Sequence, residues 1–346
     1  MTEIDKEYLL HQLTDLLRVP SPTGFTDRAI QHIEGVLNAL GYSPSSTKKG
    51  GLVLHVEGQS NDRPRALTAH VDTLGAIVKE IKPNGRLQLS KIGGFAWNTV
   101  EGEGCQIFTR AGKEYSGSLL IVKASGHIYA EEVSKLERKD SHMEVRIDEL
   151  THSEEDTRDL GIEVGDFVAF NPRVVISENG FIRSRHLDDK SGVACFLTVL
   201  KTMRDANLLP MQHTIFHFSN YEEVGHGAAS GFPADLADLV TVDMAVVGEG
   251  QNSDEFHTTI CAKDNRGPYH YQLTHELQDI AEQAGIPYKV DIYPFYGSDG
   301  EAFWRAGGDV RVALIGPGVD ASHNYERTHM DALMATTRLI LAYLLN

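Results

Sequence analysis

The chain has 346 residues, which is enough for one large domain or two ordinary ones. Its formal net charge of −17 opposes binding to nucleic acid and to anionic membrane surfaces, because both carry negative charge. Hydrophobic residues make up 41% of the sequence, but they never form the ~20-residue apolar stretch of a membrane span.

The cysteines and the amino terminus indicate the cellular compartment in which the protein is expected. Cys105, Cys195 and Cys261 are far apart and lack CxxC spacing. We therefore expect reduced thiols, with neither a disulfide framework nor a thiolate metal site. The first residues are acidic and amphipathic, unlike the basic and then apolar start of a secretion signal. These features predict a cytoplasmic protein.

The first 73 residues alternate predicted helices and strands. Prolines follow the first helix and Gly41 follows the second, in the positions where such residues end helices. The predicted elements are helices over 3–18 and 26–40 and strands over 51–56 and 66–70. This alternation is typical of an α/β layer.

The pattern changes over residues 74–173. Short β-like runs are separated here by glycine-rich or charged turns, and no long amphipathic helix stands out. The runs cover 87–89, 118–122, 143–147 and 167–170. We predict a small inserted domain that resembles a β-barrel. The alternative is a β-rich elaboration of one sheet.

Alternation of helices and strands returns after residue 173. Helices are predicted over 190–204, 274–284 and 327–345, and strands over 213–219, 239–247 and 310–315. Residues 1–73 and 174–346 would then form one discontinuous α/β domain, in which a mixed sheet has helices on both faces.

Imidazole and carboxylate side chains end several predicted strands or directly precede a predicted helix. They are His70, Asp188, Glu222, Glu223, Asp243 and His323. In an open α/β sheet, ligands collect at the carboxyl ends of the strands, so these groups can converge. Imidazole and carboxylate ligands without sulfur suit Zn²⁺, Co²⁺ or Mn²⁺. The pattern predicts a hydrolytic centre with two divalent metal ions.

Further roles follow from position. Asp72 lies two residues after His70 and could accept the second imidazole N–H. One glutamate of the pair Glu222-Glu223 could bind metal while the other transfers a proton. Each fragment is weak alone: Asp188-Asp189 could simply cap a helix, and His226 or His329 could compete for the role of His323. The order and spacing together favour the metal centre.

With these residues in view, the chain resembles the dinuclear zinc aminopeptidases of the tetrahedral-aminopeptidase family, which also includes glutamyl and deblocking aminopeptidases. The segments that carry the resemblance are Ala69-His70-Val71-Asp72, Leu187-Asp188-Asp189-Lys190-Ser191-Gly192, Tyr221-Glu222-Glu223-Val224-Gly225, Val242-Asp243, Gly297-Ser298-Asp299 and Ser322-His323. The resemblance spans nearly the whole chain. Its ending also looks like a bacterial subgroup associated with synthesis of the osmoprotectant N-acetylglutaminylglutamine amide.

The resemblance implies a role for each matched residue. One metal would be held by His70, Asp188 and Asp243, and the other by Asp188, Glu223 and His323. Glu222 would be the general base and Asp72 the partner of His70. A cis peptide between Asp188 and Asp189 is also implied, as is a homo-oligomer between a dimer and a twelve-subunit shell in which the inserted domain takes part.

One segment departs from the family pattern. The family commonly has Arg-Tyr-x-His-Ser around its last metal histidine, whereas this chain reads Asp320-Ala321-Ser322-His323-Asn324. The preferred function is a metal-dependent aminopeptidase that hydrolyses N-terminal residues of short peptides through a metal-activated water. The alternatives are a hydrolase of a small N-acylated dipeptide or amide, and a non-catalytic oligomeric scaffold that binds metal.

Overall fold

The computed structural model describes residues 2–346. Within this range the α-helices are α1 (Lys6–Arg18), α2 (Asp27–Ala39), α3 (Gly126–Tyr129), α4 (Glu132–Lys135), α5 (Glu154–Asp159), α6 (Leu187–Asp205), α7 (Tyr271–Gln283), α8 (Asp299–Arg305) and α9 (Met330–Leu345). Single 3-10 turns cover Trp97–Thr99, Asp140–His142 and Glu222–Val224.

The strands belong to two sheets. They are β1 (Ser45–Ser46), β2 (Leu52–Val56), β3 (Ser60–His70), β4 (Gly75–Ile81), β5 (Leu87–Ile92), β6 (Gly104–Phe108), β7 (Glu114–Ile121), β8 (Met143–Ile147), β9 (Phe167–Phe170), β10 (Val175–Ile176), β11 (Phe181–Ser184), β12 (Gln212–Ser219), β13 (Asp238–Val242), β14 (Ala245–Val247), β15 (Thr258–Asp264), β16 (Gly267–Pro268), β17 (Tyr288–Ile292), β18 (Arg311–Asp320) and β19 (Glu326–His329).

The chain divides into two compact units. The first consists of the residues up to Asp72 together with Arg173–Asn346, and the second is Thr73–Pro172. These limits differ by one residue from the predicted range 74–173. Participation of the second unit in oligomerisation stays a prediction.

A mixed sheet forms the centre of the first unit. Its strands run in the order β1-β2-β12-β3-β13-β18-β19-β11-β10. Strands β14 and β15 also pair with β18, and β16 and β17 pair with β15. The central strands β12, β3, β13 and β18 are parallel. Strand β2 pairs antiparallel with β12, and β15 and β19 pair antiparallel with β18. Parallel central strands bring their carboxyl ends to one edge of the sheet.

Both faces of this sheet are covered. Successive strand residues face opposite sides, so Leu67 belongs to one core and Ala66 to the other. The first core packs the leucines of α1, the buried helix α6 and α9 against the sheet, and the second packs Phe303 and Trp304 of α8. The predicted mixed-sheet α/β fold with helices on both faces is confirmed.

The second unit is a closed barrel with the strand order β4-β5-β8-β7-β6-β9. It has a hydrophobic core of its own, in which Trp97 is buried. The helices of this unit are α3, α4 and α5, none longer than 6 residues, as its sequence pattern predicts.

No helix in the described part of the chain is long and apolar enough to cross a membrane.

Some predicted elements were wrong. The last helix begins at Met330, because the residues before it pair with β11 and form β19. The predicted strand 239–247 is interrupted after Val242 and forms β13 and β14. Strands β15 and β17 were missed, since the hydrogen bonds that define them come from each other and from distant β18.

Candidate metal centre

Parallel pairing sets three ligand-bearing segments side by side. In register, Ser219 at the end of β12 lies opposite His70 at the end of β3, and β13 pairs with β3 on its other side. The segments that follow these strands therefore leave the sheet at the same edge. Glu222 and Glu223 lie in the 3-10 turn after β12, and Asp243 directly follows β13.

The first group of ligand atoms consists of His70, Asp188 and Asp243. His70 Nε2 lies 3.0 Å from Asp188 Oδ1 and 3.9 Å from Asp243 Oδ2. All three residues are buried, and their ligand atoms lie within 4.8 Å of one another. This arrangement can hold one divalent ion.

A second group consists of Asp188, Glu223 and His323, whose ligand atoms also lie within 4.8 Å of one another. His323 Nε2 lies 3.4 Å from Asp188 Oδ2 and 3.5 Å from Glu223 Oε2. Asp188 thus points one carboxylate oxygen at each group. A carboxylate in that position can bridge two metal ions.

The segment that carries Asp188 has an unusual backbone. The peptide bond between Asp188 and Asp189 is cis, as the resemblance implies, and both residues have non-helical φ and ψ at the start of α6. Asp189 accepts hydrogen bonds from the main-chain N–H groups of His70 (3.2 Å) and Gly192 (3.1 Å). It therefore ties β3 to α6 instead of serving either ligand group.

Asp72 lies beside His70 but differs from the prediction in the atom that it uses. His70 Nδ1 lies 2.9 Å from the main-chain oxygen of Asp72 and 3.6 Å from its carboxylate. The carboxylate accepts hydrogen bonds from the main-chain N–H groups of Glu222 (3.1 Å) and Glu223 (3.3 Å) and from the Thr23 hydroxyl (2.6 Å). The main-chain oxygen, and not the carboxylate, is the atom near His70 Nδ1 because β3 ends at His70, so Asp72 does not continue the strand. The catalytic role of Asp72 stays a prediction.

Glu222 and Glu223 diverge from the turn that they share. Glu223 faces His323, whereas Glu222 Oε2 lies 3.7 Å from His70 Nε2 and belongs to neither ligand group. Both side chains line the same cavity. The Glu222 side chain thus faces the cavity beside both ligand groups without joining either.

Burial dominates the electrostatics of these acids. Burial, followed by repulsion from Asp188, raises the pKa of Asp243, and the same two effects raise that of Glu223. Burial would likewise raise the pKa of Asp188, but hydrogen bonds from His323 and His70 hold it below its usual value. Several carboxylates are therefore buried close together, and two of them have raised pKa values. Divalent cations bound here would compensate the negative charge of these carboxylates.

The competing histidines lie elsewhere. His329 caps α9 by accepting a hydrogen bond from the Asp331 N–H, and its Nε2 lies 2.8 Å from the Asn179 oxygen. His226 is exposed and belongs to neither ligand group.

Two supporting carboxylates lie around the centre. Asp299, on the Gly297-Ser298-Asp299 segment, accepts hydrogen bonds from the hydroxyl groups of Thr68 and Ser219 and from the Ala228 N–H. Glu326 accepts hydrogen bonds from both ligand-bearing segments next to Asp188 and His323. Sequence reasoning missed Glu326, because no local pattern marks a glutamate that receives main-chain N–H groups from distant segments.

A cavity of about 370 Å³ opens onto the ligands. Away from the metal ligands, its wall combines apolar, cationic and acidic side chains. These are Met244, Arg266, Phe295, Tyr296, Glu301 and Arg305. The cavity can admit a small polar molecule with an apolar portion.

Known proteins with similar sequences are described as aminopeptidases. A family model described as M42 glutamyl aminopeptidase matches residues 50–339. The Bacillus subtilis protein YhfE, named as a candidate aminopeptidase, is 47% identical over 343 residues, which cover 99% of this chain and 98% of YhfE. The glutamyl aminopeptidase of Lactococcus lactis is 25% identical and aligns over 92% of this chain and 90% of its own length.

The fold is also found among solved structures. The TET1 peptidase of Pyrococcus horikoshii superimposes with a TM-score of 0.86 at 22% identity, covering 98% of this chain and 99% of the TET1 chain. That structure is described as able to assemble into a tetrahedron or a large octahedral shell. At 22% identity, this similarity shows that the two proteins share a fold.

Proposed function

The chain belongs to the M42 glutamyl aminopeptidase family, and on that premise we propose that it removes N-terminal residues from short peptides at a centre of two divalent metal ions. It is a hydrolase of the aminopeptidase class, and its family implies divalent metal ions. The number of ions, their identity and the roles of the individual residues are the proposed parts.

The observation that carries the proposal is the sharing of Asp188 between two ligand groups. His70, Asp188 and Asp243 would hold one ion, and Asp188, Glu223 and His323 would hold the other. Donors of this kind, nitrogen and oxygen without sulfur, favour Zn²⁺, with Co²⁺ or Mn²⁺ as alternatives. When bound, two such ions supply Lewis acidity that polarises the scissile carbonyl and makes water more acidic.

Glu222 is the proposed general base. Its carboxylate lines the cavity next to the ligands and is itself outside both groups. It accepts a proton from the attacking water and donates that proton to the leaving amine. Because one residue performs both transfers, the carboxylate is regenerated at the end of each cycle.

Asp72 acts on Glu222 through the backbone. Its carboxylate accepts the N–H groups of both glutamates of the turn, and its main-chain oxygen lies beside His70 Nδ1. A hydrogen bond at that nitrogen fixes the imidazole tautomer and leaves Nε2 free to bind metal. Asp72 would therefore orient a ligand and the proton carrier at once.

Substrate binding would use the cavity of about 370 Å³. Its acidic side chains attract the free α-amino group of a peptide, which is positively charged at neutral pH.

Self-association is a further part of the proposal. The assembly described for the P. horikoshii TET1 peptidase supports a homo-oligomer between a dimer and a dodecamer, with Thr73–Pro172 taking part in the contacts. Light scattering coupled to size-exclusion chromatography measures the subunit number. A monomer at micromolar concentration would contradict this part.

The decisive experiment is hydrolysis of aminoacyl amides and short peptides, each with a free or an acetylated amino terminus. Metal is first removed with a chelator and then restored as Zn²⁺, Co²⁺ or Mn²⁺. We expect cleavage of only the free-amine set, loss of activity with chelator and recovery with metal. Cleavage of the acetylated set would instead indicate a small-amide hydrolase, and inactivity on both sets would indicate a scaffold.

A further inference from the structure

Glu326 joins two segments that are far apart in the sequence. Its Oε2 accepts hydrogen bonds from the main-chain N–H groups of Leu187 (2.7 Å) and Asp188 (3.3 Å). Its Oε1 accepts one from the main-chain N–H of His323 (3.1 Å). The second ligand group consists of Asp188, His323 and Glu223. The buried Glu326 carboxylate thus contacts the backbone of the first two of these residues.

The two segments need such a contact because their own backbones are irregular. His186, directly before the Leu187-Asp188 segment, has a φ of 70°, and His323 itself has a φ of 61°. Non-glycine residues rarely adopt positive φ, so these conformations require support from the surrounding structure. Glu326 provides it from a fixed position, since β19 pairs with β11 and β18.

His70, which belongs only to the first group, is supported independently of Glu326. His70 has its N–H bound to Asp189 and its Nδ1 next to the Asp72 oxygen, and its side chain is only 2% exposed. The His323 side chain, by contrast, is 39% exposed, so packing constrains it much less. Loss of Glu326 would therefore act mainly on the second group.

We propose that Glu326 is a positioning residue that spans Asp188 and His323, so that the metal ion held by Asp188, Glu223 and His323 depends on it far more than the other ion does. The inference rests on the proposed function. It also assigns a role within the segment that departs from the Arg-Tyr-x-His-Ser pattern. Here a carboxylate three residues after the histidine holds the loop from inside the molecule.

The test is calorimetric titration of metal-free protein with Zn²⁺. Wild-type protein is expected to bind two ions in separable steps, and His323→Gln identifies the step that belongs to the second group. Glu326→Gln keeps the size of the side chain but points an amide N–H₂ at a main-chain N–H. Glu326→Asp keeps the charge but is too short to reach both segments.

We expect both Glu326 variants to weaken the step of the second group about 10- to 100-fold and to leave the other step close to wild-type. Glu255→Gln is the matched control, because Glu255 is a partly buried carboxylate that pairs with Arg327, next to Glu326 in the chain. It should change neither step. Equal weakening of both steps, or wild-type binding in Glu326→Asp, would overturn the spanning role.

A measurement on the unmodified protein covers the case in which the variants do not fold. Amide hydrogen exchange of the metal-free wild type should be slow at Leu187, Asp188 and His323, the three N–H groups bound to Glu326. Exchange there as fast as at exposed loops contradicts the proposal. Wild-type protein that binds no more than one ion contradicts the two-metal centre itself, and with it this inference.

Discussion

At the scale of single residues, the geometry of the candidate metal centre is set by the neighbours that each carboxylate oxygen faces. Asp188 divides its two oxygens between His70 and His323, and Glu326 divides its own between two backbone segments. Glu222 takes part in neither arrangement and faces the cavity. The side chains proposed as ligand, support and proton carrier are all carboxylates, and they differ only in the neighbours that their oxygens face.

Replacement of Glu222 tests the proton carrier. Glu222→Gln keeps size and hydrogen bonding but removes the basic carboxylate, so we expect turnover to fall about 100-fold or more. Metal content, measured by elemental analysis, should stay at the wild-type level because Glu222 belongs to neither ligand group. Glu249→Gln, at an exposed carboxylate, serves as the control. Near-normal turnover in Glu222→Gln would remove Glu222 from the mechanism.

At the scale of elements, the 3-10 turn Glu222–Val224 is held from several sides. Asp72 accepts N–H groups from its start, and Lys49 donates to the main-chain oxygens of His226 and Gly227 just after it. A Cβ on Gly227 would lie 1.5 Å from Asp299 Oδ1. A side chain at Gly227 therefore does not fit unless Asp299 or the backbone after the turn moves.

This crowding predicts opposite effects at two glycines. Gly227→Ala should displace the turn, lowering turnover by about 100-fold and stability by about 1–3 kcal/mol. Gly35→Ala, on the exposed side of α2 where the added methyl meets nothing within 4 Å, should raise stability by about 0.5–1 kcal/mol. Urea unfolding and peptide hydrolysis measure both effects. A fully active Gly227→Ala enzyme would mean that the turn tolerates displacement.

Strand β12 carries a buried imidazole that makes the sheet sensitive to acid. Burial lowers the pKa of His217 to about 4, and its Nδ1 lies 3.2 Å from the Thr68 hydroxyl. Since the unfolded chain protonates this histidine near its ordinary value of about 6.5, the unfolded state binds more protons between pH 6.5 and pH 4. The contribution of His217 to stability is therefore lost as the pH falls through that window.

We expect His217 to account for a loss of about 2 kcal/mol between pH 7.5 and pH 5. The measurement compares urea unfolding of metal-free wild type and His217→Gln at the two pH values. The variant should lose less stability on acidification than the wild type by that amount, whatever its stability at pH 7.5. Parallel losses in the two proteins would show that His217 titrates normally.

At the scale of the whole molecule, the proposed metal ligands all belong to one of the two compact units. The residues of both groups lie within the part up to Asp72 and the part from Arg173, whereas Thr73–Pro172 has its own core inside a closed barrel. Ligand binding stabilises the folded state by mass action, by about 4 kcal/mol when free metal exceeds Kd 1,000-fold. Metal binding should therefore stabilise the folded state of the unit that contains the proposed ligands.

Removal of metal should therefore act unevenly along the chain. We expect hydrogen exchange after chelation to become faster in peptides around His70, Asp188 and His323, and to remain unchanged in the strands of the barrel. Restored Zn²⁺ should reverse the change. Equal acceleration in the barrel strands would show that the two units unfold as one.

Much of this organisation was visible in the sequence because its signals are local. Apolar periodicity and glycine or proline stops predicted α1, α2 and α6, and the change of pattern marked the inserted β segment. The five predicted ligands come together in two groups, although their metal binding stays a prediction. Strands β15 and β17 were not predicted because their pairing partners are distant in the chain.

The sequence by itself determined the fold class, the family and the residue types that reach the sheet edge, since periodicity and motif order are properties of neighbouring residues. Only the tertiary structure decided that Asp72 faces the Glu222-Glu223 turn with its carboxylate and His70 with its main-chain oxygen. It alone joined Glu326 to Asp188 and His323. The physical reason is that hydrogen-bond geometry depends on distances between segments that folding brings together, and no spacing along the chain encodes those distances.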